Sequence, residues 1–180
     1  MIKVAITGNI ASGKSVVESY LRELGYKVFD TDKIAHKILE NSFEVKKIFG
    51  TSDRKEIANI VFSNKEKLKQ LEAIIHPEVK KEILNLFKLN EKIIFISVPQ
   101  LFESGFNKLF DKVIFISADD NLRLERLIKR NNLTKEEALK RISAQNKEEE
   151  KISKSDFILY NNGDIESLKN EIKNLFLIHF

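Results

Sequence analysis

The segment Gly8-Asn9-Ile10-Ala11-Ser12-Gly13-Lys14-Ser15 constrains this chain more than any other feature. It satisfies the pattern G-x-x-x-x-G-K-[ST], whose glycines let the backbone curl until its N–H groups face phosphate oxygens. Context gives the pattern meaning. Residues 2–7 form a short β-branched run, and residues 15–24 continue with helical spacing. The start of that helix adds partial positive charge at the same place. The nucleotide-binding set is therefore read as Asn9, Ile10, Ala11, Ser12, Gly13, Lys14, Ser15 and Val16. Lys14 is expected to reach the β- and γ-phosphates of a nucleoside triphosphate, and the Ser15 hydroxyl to ligate Mg²⁺.

A strand feeding such a loop must sit inside a sheet. Residues 2–7, 27–29, 93–98, 113–117 and 157–159 are short, nearly continuous apolar runs bounded by Gly, Asp or Pro. Continuous hydrophobicity, unlike polar alternation, marks strands covered on both faces, hence a parallel sheet. The fold class is α/β: five parallel strands flanked by helices in one domain of 180 residues. Helix punctuation lies between the runs. Ser63-x-x-Glu66 and Thr134-x-x-Glu137 fit capping boxes, Pro77 fits a first helical turn, and Gly25 is placed to end the first helix. Two connections exceed a minimal crossover. About three helical patterns fill residues 33–90, a substrate-binding insertion, and two helices joined at Asn131-Asn132-Leu133 fill 119–154, a lid. Both insertions are expected over the carboxyl ends of the strands.

Composition removes several chemistries. Cysteine is absent, so disulfides, thiolate zinc sites, iron–sulfur clusters and a cysteine nucleophile are excluded. The net charge of +4 comes from 25 lysines and only six arginines, with lysines interleaved with glutamates as in 64–72 and 147–151. That pattern reads as a solvated, salt-bridged exterior, and no nucleic-acid partner is expected. No stretch approaches a membrane span or an export signal, so a cytoplasmic protein is expected. A monomer is expected, with the apolar tail 175–180 buried on the core or in a contact.

The kind of phosphate-loop protein follows from what accompanies the loop. No Asn-Lys-x-Asp guanine motif occurs, and residues 93–98 run into Pro99, not into an Asp or Asp-Glu. A small phosphotransferase with a flap and a lid remains. Asp30 and Asp32 end the second strand at i, i+2, on one face if the strand is regular. One carboxylate would accept a proton from an attacking hydroxyl while the other helps order the metal, or the acids, Asp30 more readily than Asp32, cap the following helix.

In order along residues 1–165, these elements resemble the dephospho-coenzyme A kinase family. The resemblance rests on Thr7–Ser15, the Asp30-x-Asp32 pair, Ala35-His36, the I-V-F-S-N stretch with Phe62, Ile75-His76-Pro77 and Val98-Pro99-Gln100-Leu101-Phe102-Glu103. It continues through Arg126-x-x-x-Arg130, Arg141-x-x-x-Gln145 and Asn161-Asn162-Gly163. It implies a P-loop nucleoside triphosphate hydrolase fold in which MgATP phosphorylates the ribose 3′-hydroxyl of dephospho-CoA. The alternative is another nucleotide or small-metabolite kinase of the same class. The resemblance further implies that Asp32 is the base, and that Asp32, His76, Pro99, Leu101, Phe102 and Glu103 meet the acceptor while Asn161 and Gly163 contact adenine. It places Arg130 and Arg141 on the two lid helices, where closure would bring guanidinium groups to the transferring phosphoryl, and Arg126 either does the same or pairs with a surface carboxylate. Asn9 and Ala11 stand where glycine is common in the family, Thr31 where alanine is, and Gln100 where leucine is. The 50–54 segment is shorter than its counterpart. Asn9 is expected to tolerate the positive φ that glycine would supply.

Overall fold

The computed structural model describes residues 1–145 and 148–179. Its elements run β1 (Ile2–Gly8), α1 (Lys14–Glu23), β2 (Lys27–Asp30), α2 (Thr31–Asn41), α3 (Phe43–Phe49), α4 (Arg54–Phe62) and α5 (Lys65–Leu86). Then come β3 (Ile93–Ser97), β4 (Lys112–Ser117), α6 (Asp120–Asn131), α7 (Lys135–Ser143), α8 (Glu148–Ile152), β5 (Phe157–Tyr160) and α9 (Ile165–His179). A short 3₁₀ turn covers Phe106–Leu109. The chain divides into two compact units, Met1–Phe29 with Glu91–Phe180, and Asp30–Asn90.

The first unit holds the sheet, a five-stranded parallel one in the order β2-β3-β1-β4-β5. β1 lies at its centre, with Ile6 opposite Ser97 of β3 and opposite Ile114 of β4. The outcome explains the sequence pattern. Val4, Ile6, Phe95, Ile114 and Ile116 are fully buried, because helices cover both faces and leave no polar side for alternate residues. α1 contributes Val17, Tyr20 and Leu21 to this core, and α9 contributes Leu168 and Ile172. Gly25, at φ +89°, takes the left-handed conformation that ends the α1 turn after Leu24. Each expected strand is present to within a residue at each end. The apolar tail divides. Phe176 packs on Tyr26 and Phe95 at 5.2 and 5.6 Å between ring centroids, whereas Leu177 and Ile178 are 84% and 73% exposed. Phe180 lies outside the described residues.

The second unit has four helices where three patterns were expected, and each starts on a side-chain cap. Ser42 caps α3 through the Val45 N–H, and Asp53 caps α4 through those of Lys55 and Glu56. Asn64, not Ser63, caps α5, its Oδ1 accepting from the N–H groups of Glu66 and Lys67 at 3.0 Å. Ser63 instead closes α4. Asn is as good a cap as Ser and stands one residue later, so the expected box is displaced by one. Pro77 lies well inside α5, not in its first turn, because Asn64 sets the start. The helix forgoes one backbone hydrogen bond there. Ile75, Val79 and Ile83 form its buried stripe at i, i+4, i+8, and α2, α3 and α4 all pack against α5.

Candidate active site

The phosphate loop joins β1 to α1, and two close approaches fix its shape. A Cβ on Gly8 would lie 2.6 Å from the Ile116 carbonyl oxygen of β4. A Cβ on Gly13 would lie 1.9 Å from Asn161 Nδ2, and Gly13 has φ +94°. Only glycine fits either place. Asn161, just past β5, is buried and donates its amide to the Ser12 carbonyl at 2.8 Å. No side chain caps the N-terminus of α1, so the first N–H groups of a ten-residue helix remain directed at whatever the loop encloses. The second positive φ in the loop is at Ala11, +61°, and not at Asn9 as the sequence suggested.

Asn9 has a different task. Its Oδ1 accepts from Lys151 Nζ at 3.2 Å, and its Nδ2 donates to Glu148 Oε2 at 3.0 Å. Glu148 also accepts a short hydrogen bond from the Ser117 hydroxyl at the end of β4. Lys151 also pairs with Glu103 at 2.8 Å. Arg123, only 3% exposed, donates Nε to the Ile10 carbonyl at 3.0 Å and Nη1 to Asp120 at 2.7 Å. Gln145 Oε1 accepts from the Ile10 N–H at 2.8 Å and from Arg123 Nη2 at 3.3 Å. The solvated exterior expected for 147–151 is thus overturned at Glu148 and Lys151, which face the loop. Lys147 lies outside the described residues.

In this shell the three carboxylates Asp120, Glu148 and Glu103 outnumber the two cations Arg123 and Lys151. Arg123 and Lys151 each have carboxylate partners, so they add little net field at the loop. Among the described residues Lys14 has no ion-pair partner, and with the α1 N-terminus it supplies the unspent positive charge. No cluster of three His, Cys, Asp or Glu that could hold a metal occurs among the described residues. Ser15 is exposed in the first turn of α1, beside the loop.

Comparison with known proteins now decides the family. The sequence model of the dephospho-CoA kinase family matches residues 2–167. The chain belongs to that family. It is 41% identical to the dephospho-CoA kinase of Fusobacterium nucleatum, over 94% of each chain. A crystal structure of a Thermus thermophilus protein superposes with a TM-score of 0.89 at 37% identity, over 99% of this chain and 98% of that one. The dephospho-CoA kinase structure from Campylobacter jejuni gives 0.74 at 36% identity, over 97% and 95%.

Within this dephospho-CoA kinase family member, the sequence-derived residues fall into three groups. Asn9, Ile10, Ser12, Gly13 and Asn161 meet at the loop by direct hydrogen bonds or packing, and Glu103 joins them through Lys151. Pro99 and Leu101 follow β3, the Pro99 carbonyl accepting from the Thr7 hydroxyl at 3.5 Å; Leu101 is buried and Phe102 half-buried. Gly163 is exposed at the turn into α9. Arg130 and Arg141 stay on the surface of α6 and α7, Arg130 donating to its neighbour Asn131 at 2.9 Å. Among the described residues Arg126 makes no carboxylate pair. It donates to the Asn161 carbonyl at 3.0 Å, and its Nη1 is buried with no hydrogen-bond partner among the described residues.

Asp32 and His76 belong to the 30–90 unit. His76 is half-buried in α5 beside Pro77. Asp32 is exposed in the first turn of α2, and its N–H is capped by Asp30 Oδ1 at 2.8 Å. The expected pair of carboxylates on one strand face therefore does not form: the strand ends at Asp30, which turns its side chain to the helix it starts. Sequence reasoning missed Arg123, Glu148 and Lys151 as loop-holding residues. Nothing in a lysine and glutamate run separates a buried pair from a solvated one, so the signal was lacking.

Proposed function

We propose that this chain transfers the γ-phosphoryl group of ATP to the ribose 3′-hydroxyl of dephospho-CoA, yielding coenzyme A and ADP. The observation that carries the reading is the uncapped α1 N-terminus under a two-glycine phosphate loop, in a chain matched to this family over residues 2–167. The loop residues Asn9 to Val16 hold the phosphates, with Lys14 on the β- and γ-phosphates. Asn161 and Gly163 border the adenine. Pro99, Leu101, Phe102, Glu103 and His76 meet the acceptor.

In the reaction the 3′-oxygen bonds to the γ-phosphorus as the bond to the bridging oxygen of ADP breaks. Asp32, in the first turn of α2, takes the proton of the attacking hydroxyl. Arg130 and Arg141 stabilise charge on the transferring group. Mg²⁺ fits the donor set, since it keeps most of its water and needs few protein oxygens. Ser15 would hold it, and when bound it neutralises phosphate charge. We take the protein to act as a cytoplasmic monomer without a nucleic-acid partner. No helix among the described residues is long and apolar enough to cross a membrane.

The test is ADP release from MgATP with dephospho-CoA, adenosine, AMP or no acceptor, with the product weighed by mass spectrometry. Dephospho-CoA-dependent turnover, giving a product heavier by one phosphoryl group, is expected. Turnover with another acceptor and none above the blank with dephospho-CoA would refute the substrate.

A further inference from the structure

α8 crosses the carboxyl ends of three adjacent strands. At its first residue, Glu148 bonds Ser117, the last residue of β4, and Asn9, the first residue after β1. One turn on, Lys151 bonds Asn9 again and Glu103, in the loop after β3. In the sheet these strands are neighbours in the order β3-β1-β4. α8 is therefore a brace laid across the edge where the phosphate loop sits.

Lys151 is the centre of this brace. Its side chain is 4% exposed, and a buried ammonium carries a desolvation cost that a well-packed apolar residue would avoid. Stability alone gives no reason for a cation here. Both of its acceptors, however, belong to loops at the site. One is the side chain that opens the phosphate loop, and the other is the carboxylate four residues past Pro99. Asn9 is held a second time, by Glu148, and the loop backbone is held at Ile10 and Ser12 by Arg123, Gln145 and Asn161. The loop thus has several supports besides Lys151. We infer that Lys151 is a positioning residue, which fixes the Glu103 carboxylate against the phosphate loop for the acceptor, while contributing little to holding the nucleotide. This rests on the proposed reaction for its kinetic half.

The experiment is a double-mutant cycle of Lys151→Met and Glu103→Gln in the full chain, with kcat and KM for both substrates and the Kd of a fluorescent ATP analogue. Lys151→Met is expected to lower kcat by about tenfold or more, a loss of about 1.4 kcal/mol. The Kd for the nucleotide should stay within about threefold, because the supports named above remain. The double variant should be no slower than the slower single one, because both changes remove the same placed carboxylate. Multiplying losses, or a Lys151→Met kcat within about twofold of the unaltered chain, would overturn the inference. Should Lys151→Met fail to fold, Lys151→Arg and Lys151→Gln enter the same cycle, and the charge-retaining variant should be the faster of the two.

A crystal structure of the variant reads the placement without activity. The Glu103 carboxylate should leave its position, and an unmoved carboxylate would overturn the inference. If the unaltered chain does not act on dephospho-CoA, the functional reading falls, and the placement of Glu103 alone decides the role of Lys151.

Discussion

Replacing Gly13 with alanine perturbs the loop by one methyl group, and the structure sets the size of the effect. At φ +94° the backbone is in the left-handed region, which costs an L-residue about 1–2 kcal/mol. The new Cβ would stand 1.9 Å from Asn161 Nδ2, so the Asn161 amide must move. Moving it breaks the 2.8 Å bond to the Ser12 carbonyl, and a buried acceptor left unpaired costs about 1–3 kcal/mol. Together the change should destabilise by about 2–5 kcal/mol, which for a chain of this length lowers Tm by about 4–20 °C. Thermal unfolding by circular dichroism measures it, with Asn161→Ala and the double variant beside it. Asn161→Ala removes the obstructing amide, so in its background Gly13→Ala should cost only the backbone part, about 1–2 kcal/mol. A Gly13→Ala shift below about 2 °C, or equal costs in both backgrounds, would refute the reasoning.

Asp32→Asn should abolish most turnover while leaving nucleotide affinity unchanged, whereas Lys14→Ala should weaken ATP binding itself; a nucleotide titration beside the kinetics separates them, and full turnover by Asp32→Asn would remove it as the base. Arg123→Leu strips the Ile10 carbonyl and Gln145 of a buried donor and Glu148 of an ion partner, so a loss of about 3–5 kcal/mol is expected in denaturant unfolding. Two cap carboxylates give an acid-side prediction. Glu137 is held below its ordinary value of 4.5 chiefly by the Thr134 N–H and then its hydroxyl, and Asp164 below 3.8 by the same groups of Ser167. A lowered folded value means the stabilisation is complete above the ordinary value and is lost as pH falls through the folded one. The first turns of α7 and α9 should therefore stay ordered at neutral pH and loosen only in acid, below 4.5 and 3.8 respectively. Amide exchange at those turns checks this, and Thr134→Ala should remove the α7 part.

How far the fold was legible depended on whether a residue's partner lay close in sequence. The strands around Val4, Phe95 and Phe115 were readable because burial on both faces leaves a local mark, a run without polar alternation. The Thr134–Glu137 box was readable because both partners lie within one turn, with Glu137 Oε2 accepting from the Thr134 N–H at 2.8 Å. The loop motif was readable for the same reason. Lys151 was not, since its partners Asn9 and Glu103 are 142 and 48 positions away and only the sheet order brings them together. Asn9 was misread for a related cause. Its composition allowed either a left-handed backbone or a bridging amide, and local rules know only the first. For Asp30 the sequence allowed either one of a catalytic pair or a helix cap, and the capping bond to the Asp32 N–H settles it as the cap.

The same network limits how the 119–154 segment can serve as a lid. Gln145 accepts from the Ile10 N–H, Glu148 from Asn9 and Ser117, and Lys151 donates to Asn9 and Glu103. Lifting this stretch from the loop would leave the buried Arg123 without two of its acceptors and break the Lys151–Glu103 pair. Each of these contacts opposes lifting the stretch as a unit. A closing motion in the proposed reaction would pivot ahead of Gln145. The joint between α6 and α7 is suited to that, since Asn132 takes φ +50° there and α7 starts afresh on its Thr134 cap. Such a pivot carries Arg141 on α7 while Arg123 and Lys151 stay with the phosphate loop. In the proposed reaction the basic residues divide: Arg123 and Lys151 hold the phosphate loop, and Arg141, exposed on α7, would approach the charge that develops on the transferring phosphoryl group.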